Sequence, residues 1–234
     1  MSIQEFALGS TILVDKPLNW TSFDVVNKLR WNLKQKLGVK KIKVGHAGTL
    51  DPLATGLLIL CIGKHTKTIE EMIGADKTYT GTFLLGKTTP SYDLESEYDG
   101  EFPLDHITEE VLEKARISFL GEIDQVPPIF SAKQIDGKRA YDLARAGKEV
   151  ILKSNKVTIS HFSIDATRFP EVDFKITCTK GTYIRSIASD FGKAVGSGAT
   201  LIGLRRTVSG DKSIDDAKSV EEWIEYIQQT PLEA

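Results

Sequence analysis

The run Gly45-His46-Ala47-Gly48-Thr49-Leu50-Asp51-Pro52-Leu53-Ala54-Thr55-Gly56 leads directly into Leu57-Leu58-Ile59-Leu60-Cys61-Ile62. No other stretch constrains the fold as much. A short continuous apolar run behind a glycine-rich turn reads as a buried strand. Gly45, Gly48 and Gly56 allow backbone angles closed to other residues and let a ligand approach the main chain. Pro52 fixes its own φ and pushes Asp51 toward an extended conformation. Such a turn holds one acid rigidly at the edge of a sheet. An aspartate before proline often does no more than cap a turn. Here three glycines, a histidine and two threonines surround a single acid, which tilts the reading toward a site.

The chain has 234 residues, enough for one large domain or two small ones. With 41% hydrophobic and 26% charged residues it has an ordinary globular composition. Its longest apolar runs fall far short of the roughly 20 residues of a membrane span, and the N-terminus shows no secretory pattern. Cys61 and Cys178 sit in strand-like apolar runs and read as buried thiols of a reducing compartment. No Cys/His set has metal-ligand spacing. The expectation is a cytoplasmic chain with no membrane segment and no metal.

The net charge of −2 argues against strong non-specific nucleic-acid binding, but the charges are unevenly spread. Lys34, Lys36, Lys40, Lys41 and Lys43 form one acid-free basic stretch. Lys133, Lys138, Arg139, Arg145, Lys148, Lys153 and Lys156 form a second. Each run alone is compatible with a solvated face; together they are local positive faces that can bind a polyanion.

The periodicities predict a strand at Thr11–Val14 and a helix capped by Ser22 that runs to about Leu37. Phe23, Val26, Leu29, Leu33 and Leu37 mark its buried face, and Gly38 sits at its end. A strand at Leu57–Ile62, a short helix near Thr66–Ile73 and a strand at Thr78–Leu85 follow. Gly86 to Asp105 reads as a long acidic loop, and Thr108 caps a helix to about Leu120. From Asp124 the texture changes. Pro127-Pro128 is stiff, Asp136-Gly137 marks a turn, and Arg139–Ala146 can form a short basic helix. Residues 124–152 read as an excursion from the main sheet. Strands return at Asn155–Ile164 and 172–179, the latter alternating with Val172, Phe174, Ile176 and Cys178 inward. A helix over Tyr183–Val195, a strand over Thr200–Val208 and a last helix to Gln229, boxed by Ser219 and Glu222, complete the chain. The order implies an α+β architecture around a mixed, largely antiparallel sheet.

Four further segments bear on chemistry. Tyr79, in Asp76-Lys77-Thr78-Tyr79, offers a flat face for a base and a hydroxyl for a proton. Arg185, in Lys180-Gly181-Thr182-Tyr183-Ile184-Arg185-Ser186, falls at a helix start, where the dipole disfavours a cation and a carboxylate partner is needed; Asp51 is a candidate. Leu204-Arg205-Arg206 ends a strand in two cations. Residues 125–141 interleave Lys133, Lys138 and Arg139 with Phe130 and Tyr141, which suits a nucleic-acid clamp. These features are compatible with chemistry on a nucleoside, and the residues alone go no further.

The 45–56 run closely resembles the catalytic motif of the bacterial tRNA pseudouridine synthase B (TruB) family. So do Asp15-Lys16-Pro17, Lys77-Thr78-Tyr79, Gly137-Lys138-Arg139-Ala140-Tyr141, Gly181-Thr182-Tyr183-Ile184-Arg185 and Leu204-Arg205-Arg206, in the family's order over roughly residues 11 to 210. The resemblance implies a pseudouridine synthase fold: a central mixed sheet flanked by helices, with an inserted RNA-binding excursion. It implies a catalytic domain over 1–210 and a short helix and tail over 211–234. It implies isomerisation of the T-loop uridine that becomes the Ψ of the TΨC arm, on flipped-out tRNA and without a cofactor. Asp51 resembles the essential acid, Arg185 its ion-pair partner, and Tyr79 the residue stacked on the uracil near the C5 proton. Tyr183, Leu204, His46 and Lys16 resemble further substrate-binding positions. Lys64, Lys133, Lys138, Arg139 and Arg205 are candidates for the RNA backbone.

The T-arm stem-loop of tRNA is the implied partner, with no obligatory protein partner and a monomeric state. Many relatives carry a C-terminal RNA-binding extension, often of the PUA type. Here about two dozen residues follow Ser209 and include an acidic helix, so the expectation is a short form with weaker docking to the acceptor arm. The loop Lys87–Asp93 departs from the family's usual pattern and is assigned no role. Other readings are a catalytically silent RNA-folding chaperone and the same chemistry on another RNA, as in the guide-RNA-dependent relatives. A glycosidase needs a second carboxylate near Asp51, for which Asp15 is the only motif acid available.

Overall fold

A computed structural model describes residues 2–129, 134–135, 138–139 and 152–232. In chain order the elements are α1 (Ile3–Leu8), β1 (Gly9–Lys16), α2 (Ser22–Leu37), β2 (Val44–His46), β3 (Ala54–Gly63), a 3-10 turn (Lys64–Thr68), α3 (Ile69–Gly74), β4 (Lys77–Leu85), β5 (Lys87–Thr88), β6 (Gly100–Glu101), α4 (Glu109–Ser118) and β7 (Gly121–Gln125). Then come β8 (Gln134–Ile135), β9 (Lys138–Arg139), β10 (Asn155–Asp165), β11 (Glu171–Cys178), α5 (Ile184–Ala194), β12 (Ala199–Ser209), β13 (Lys212–Ser213), a 3-10 turn (Ile214–Asp216), β14 (Lys218–Ser219) and α6 (Val220–Gln229).

The chain divides into two compact units, one of Met1–Tyr79 with Leu204–Ala234 and one of Thr80–Gly203, and it passes between them within β4 and within β12. In the first unit the strand order is β14-β1-β3-β12. β1 and β3 are antiparallel with Val14 opposite Leu58, whereas β3 and β12 are parallel with Ala54 opposite Leu204. β3 is apolar without alternation because both its faces are covered. Leu58, Leu60 and Ile62 pack with Ile12 and Val14 under Val25, Val26, Leu29 and Leu33 of α2, Ile3 and Phe6 of α1, and Val220 and Ile227 of α6. Leu57 and Ile59 face the other way, with Ala47, Ile69 and Met72. The segment after residue 210 is therefore part of this core.

In the second unit the order is β4-β11-β10-β7, with β10 antiparallel to both its neighbours. Val172, Phe174, Ile176 and Cys178 are buried, as their alternation predicts. Phe83 stacks on Phe174 with ring centroids 4.2 Å apart, and Phe162 and Phe191 of α5 close around them. The α+β class and the mixed, largely antiparallel sheet flanked by helices hold.

Local expectations change in several places. Thr21, not Ser22, caps α2, in a box with Asp24; Ser22 is buried and bonded elsewhere. Phe23 is 58% exposed, and Val25 takes the core position expected for it. The expected helix near Thr66–Ile73 is a 3-10 turn running into α3. The loop after Gly86 contains the pair β5 and β6. α1, β2 and β7 are additional elements. In the excursion, Gln134 pairs with Arg139 and Ile135 with Lys138 around residues 136–137. Arg139 is thus in a strand, while Lys133 and the rest of the expected basic helix lie outside the described residues.

Candidate active site

The first unit holds Asp51 through its two neighbours. On one side, Leu50 donates its N–H to Ser22 Oγ at 2.8 Å and accepts from the same hydroxyl at 3.1 Å. On the other side, the Pro52 carbonyl accepts the Asn19 N–H at 2.9 Å and lies 3.4 Å from Lys16 Nζ. Asp51 closes the turn itself, its carbonyl accepting the Ala54 N–H at 3.0 Å. Lys16 is fully buried, and its ammonium also donates to the carbonyls of Pro17 at 2.9 Å and Trp20 at 2.5 Å. Burial pushes the Lys16 pKa down to about 8, against the attraction of Asp51 and Asp24, with Arg206 adding repulsion. Lys16, expected among the substrate contacts, fastens the main chain of the Asp51 turn.

Arg206 does the same from beneath. It is buried, with Nε donating to the Leu57 carbonyl at 2.7 Å and Nη2 to the Gly48 carbonyl at 3.1 Å. Gly56 is obligatory beside it: at φ +99, a Cβ there falls 2.3 Å from the Arg206 carbonyl oxygen. Leu204, two residues before Arg206, pairs with Ala54, three residues past Asp51. His46 lies on β2, and its Nδ1 is buried without a hydrogen-bond partner among the described residues. Burial, and next the Arg206 charge, hold its pKa below the usual histidine value, so the ring is neutral at pH 7. Tyr79 is half-buried where β4 leaves this unit. Before it, Lys77 caps α3 by donating to the Ile73 and Ala75 carbonyls.

The other cations differ in how committed they are. Arg205 forms a two-pronged ion pair with Asp15, at 3.0 and 2.6 Å. That pairing occupies the carboxylate the glycosidase reading needed. Lys64 is exposed at the start of a 3-10 turn.

In the second unit, Tyr183 is the N-cap of α5 and Arg185 lies in its first turn. Arg185 is buried, with Nε 3.6 Å from the buried Asp93 carboxylate and Nη1 donating to the Ser91 carbonyl at 3.3 Å. A cation at a helix start thus has an acid beside it, as the dipole argument requires. Asp93 ends the Lys87–Asp93 loop, for which the sequence suggests no role. Its Oδ1 also accepts the Glu95 N–H at 3.0 Å, and its carbonyl accepts from the hydroxyls of Thr89 and Ser91. Sequence reasoning also missed Gln125, which is buried and bonds both the N–H and the carbonyl of Tyr183. Its only signal was its place beside Pro127-Pro128. Lys138 and Arg139 are placed in β9.

Residues 34–184 match the TruB family pseudouridylate synthase (N terminal domain). The tRNA pseudouridine synthase B of Phocaeicola vulgatus is 53% identical over 228 residues, covering 97% of each chain. That of Flavobacterium johnsoniae is 53% identical over 229 residues, covering 97% of this chain and 100% of the relative. Among solved structures, a Cbf5-Nop10-Gar1 complex aligns at 28% identity and a TM-score of 0.71, over 97% of this chain and 56% of the longer chain matched. No helix among the described residues is long and apolar enough to cross a membrane. With the match extending over more than half of the sequence and the identity over nearly all of it, the chain belongs to the TruB family of pseudouridylate synthases.

Proposed function

We propose that the chain is a tRNA pseudouridine synthase, an isomerase that converts the T-loop uridine (U55) of tRNA to pseudouridine. The observation that carries this reading is the Asp51 turn. Its main chain is clamped on both sides, and it lies within the residues that match the family. A target uridine in a folded tRNA has to leave its stack, at a cost of a few kcal/mol. The C1′–N1 bond then breaks, the uracil turns, and C5 bonds to C1′. The C5 proton leaves and N1 gains one, so the nucleoside's composition is unchanged and no co-substrate is consumed.

In this reading Asp51 acts at the ribose and Arg185 is its cation partner. Tyr79 stacks on the uracil near the C5 proton, and Tyr183 and Leu204 line the base. His46, as a neutral ring, enters the loop where bases have been displaced. Lys16 serves substrate binding from the position at which it also holds Pro52. Lys64, Lys133, Lys138, Arg139 and Arg205 are the proposed backbone contacts, which offset the cost of base extrusion through phosphates. The protein acts as a monomer, with the tRNA T-arm as its partner.

The test is nucleoside mass spectrometry with site mapping on an unmodified tRNA transcript, using wild type and Asp51→Asn. Pseudouridine at the T-loop position with wild type alone is the expected result, with at least a roughly thousandfold loss in the variant. A folded wild type that binds the transcript without forming pseudouridine would leave an RNA-folding role in its place.

A further inference from the structure

Helix α5 starts without the usual side-chain help. Tyr183 stands at its N-cap and forms no side-chain cap, and the first turn contains no acid. A helix start of this composition needs partners from elsewhere for its main-chain groups. Gln125, the last residue of β7, supplies them. It is 2% exposed; its Oε1 accepts the Tyr183 N–H at 2.8 Å and its Nε2 donates to the Tyr183 carbonyl at 3.1 Å. A carboxamide is planar, so two bonds to one residue fix that residue's backbone as a neighbouring strand does. A third bond joins the same segments, from Ser186 Oγ to the Val126 carbonyl at 2.8 Å. Behind them Pro127 and Pro128 are buried, and their fixed φ angles leave this anchor little slack.

We propose that Gln125 is a positioning residue for the isomerisation. By gripping the Tyr183 backbone through both ends of its amide, it sets the directions in which the Tyr183 ring and the Arg185 guanidinium leave the start of α5. The inference rests on the functional reading above, in which Tyr183 and Arg185 serve the reaction. The chemistry of the grip requires one donor and one acceptor on a planar head. Glutamate has the shape but, when ionised, presents a second oxygen to the Tyr183 carbonyl. Once protonated, its O–H donates there and both bonds return. Burial and the facing carbonyl favour the protonated form, so this exchange falls within the range where the enzyme can be assayed.

The experiment is single-turnover pseudouridine formation on an unmodified tRNA transcript, with tRNA affinity and thermal melting measured alongside. Gln125→Met keeps the length of the side chain and loses both bonds. It is expected to slow the chemical step ~10-fold or more while tRNA affinity stays within about twofold. Gln125→Glu is expected to be slow at about pH 8 and to recover, relative to wild type at the same pH, as the pH falls to about 6. Ionisation of the buried Glu also lowers stability as the pH rises, so the ratio is taken well below the melting temperature measured at each pH, where a loss of stability alone leaves it flat. A Gln125→Met enzyme at the wild-type rate would overturn the proposal. So would a Gln125→Glu rate ratio that is flat across pH. If Gln125→Met fails to fold, the Gln125→Glu ratio decides alone. A wild type that forms no pseudouridine would remove the functional reading and this inference together; an active wild type with an unaffected Gln125→Met removes the inference only.

Discussion

The turn around Asp51 and the start of α5 are held in different ways. The turn is fastened through the main chain of its neighbours: Ser22 grips Leu50, Asn19 and Lys16 grip Pro52, and Arg206 grips Gly48. The charges in that scaffold sit on supporting residues. At the helix start a charged side chain is itself one of the groups being held, since Arg185 lies against Asp93 while Gln125 holds the Tyr183 backbone. Disturbing the first region changes where an acid stands. Disturbing the second removes one of the groups set against a buried charge. The two should therefore fail by different amounts and answer differently to pH.

The largest expected effect lies at the helix start. Asp93 and Arg185 are each about 94% buried as side chains, their charged groups 3.6 Å apart. Removing one member of a buried pair is costly because the other keeps its desolvation penalty. Asp93→Asn keeps an acceptor for the Glu95 N–H but can turn an N–H₂ toward the guanidinium. A loss of about 3 kcal/mol in urea unfolding is expected, with a matching fall in turnover. A loss below about 1 kcal/mol would mean that Asp93 is not the group that offsets the buried Arg185 charge.

Much of the turn was legible in the sequence, and little of the helix start's support was. The run Leu57–Ile62 announced a strand covered on both faces, and the glycines before it announced a strained turn. Gly56 is where the announcement was most literal, because only a residue without Cβ fits beside Arg206. The Ser219–Glu222 box likewise marked α6 to the residue. The same rule pointed to Thr21, which has Asp24 three places on, rather than to Ser22, which has Val25. Ser22 was misread because a hydroxyl at a helix start looks like a cap whatever it bonds. Phe23 was misread because helical spacing shows a stripe without showing what covers each edge of it. Gln125 reaches Tyr183 across 58 positions, and Arg185 reaches Ser91 across 94. Neither pairing leaves a local pattern, and an acidic stretch such as 93–105 looks solvated until one of its acids is found buried.

Lys16 provides a pH test of the turn. Its pKa is about 8 in the folded chain, against an ordinary value of 10.5. Between those values the unfolded chain carries a proton that the folded chain has released, so stability rises with pH across that window. Relative to Lys16→Met, wild type should gain up to about 3 kcal/mol from about pH 8 to pH 10.5 and nothing below it. Urea unfolding of both proteins at matched pH measures the difference. A flat difference would mean that the three carbonyls keep Lys16 charged, and that the turn is held by an ammonium throughout.

The smallest stability effect separates the two hydroxyls that the sequence confounded. Ser22→Ala removes a buried group that both donates to and accepts from Leu50, and should cost about 1–2 kcal/mol. Thr21→Ala removes the cap of the same helix and should cost about 1 kcal/mol. Equal damage to α2 is therefore available from two adjacent positions, of which only one touches the residue before Asp51. Turnover should fall for Ser22→Ala and hold for Thr21→Ala when both are assayed well below their melting temperatures. If turnover falls equally in both, the helix as a whole, and not its bond to Leu50, sets the position of the acid. The turn would then depend on distributed packing, as the core of the first unit does, and not on the few polar clamps around it.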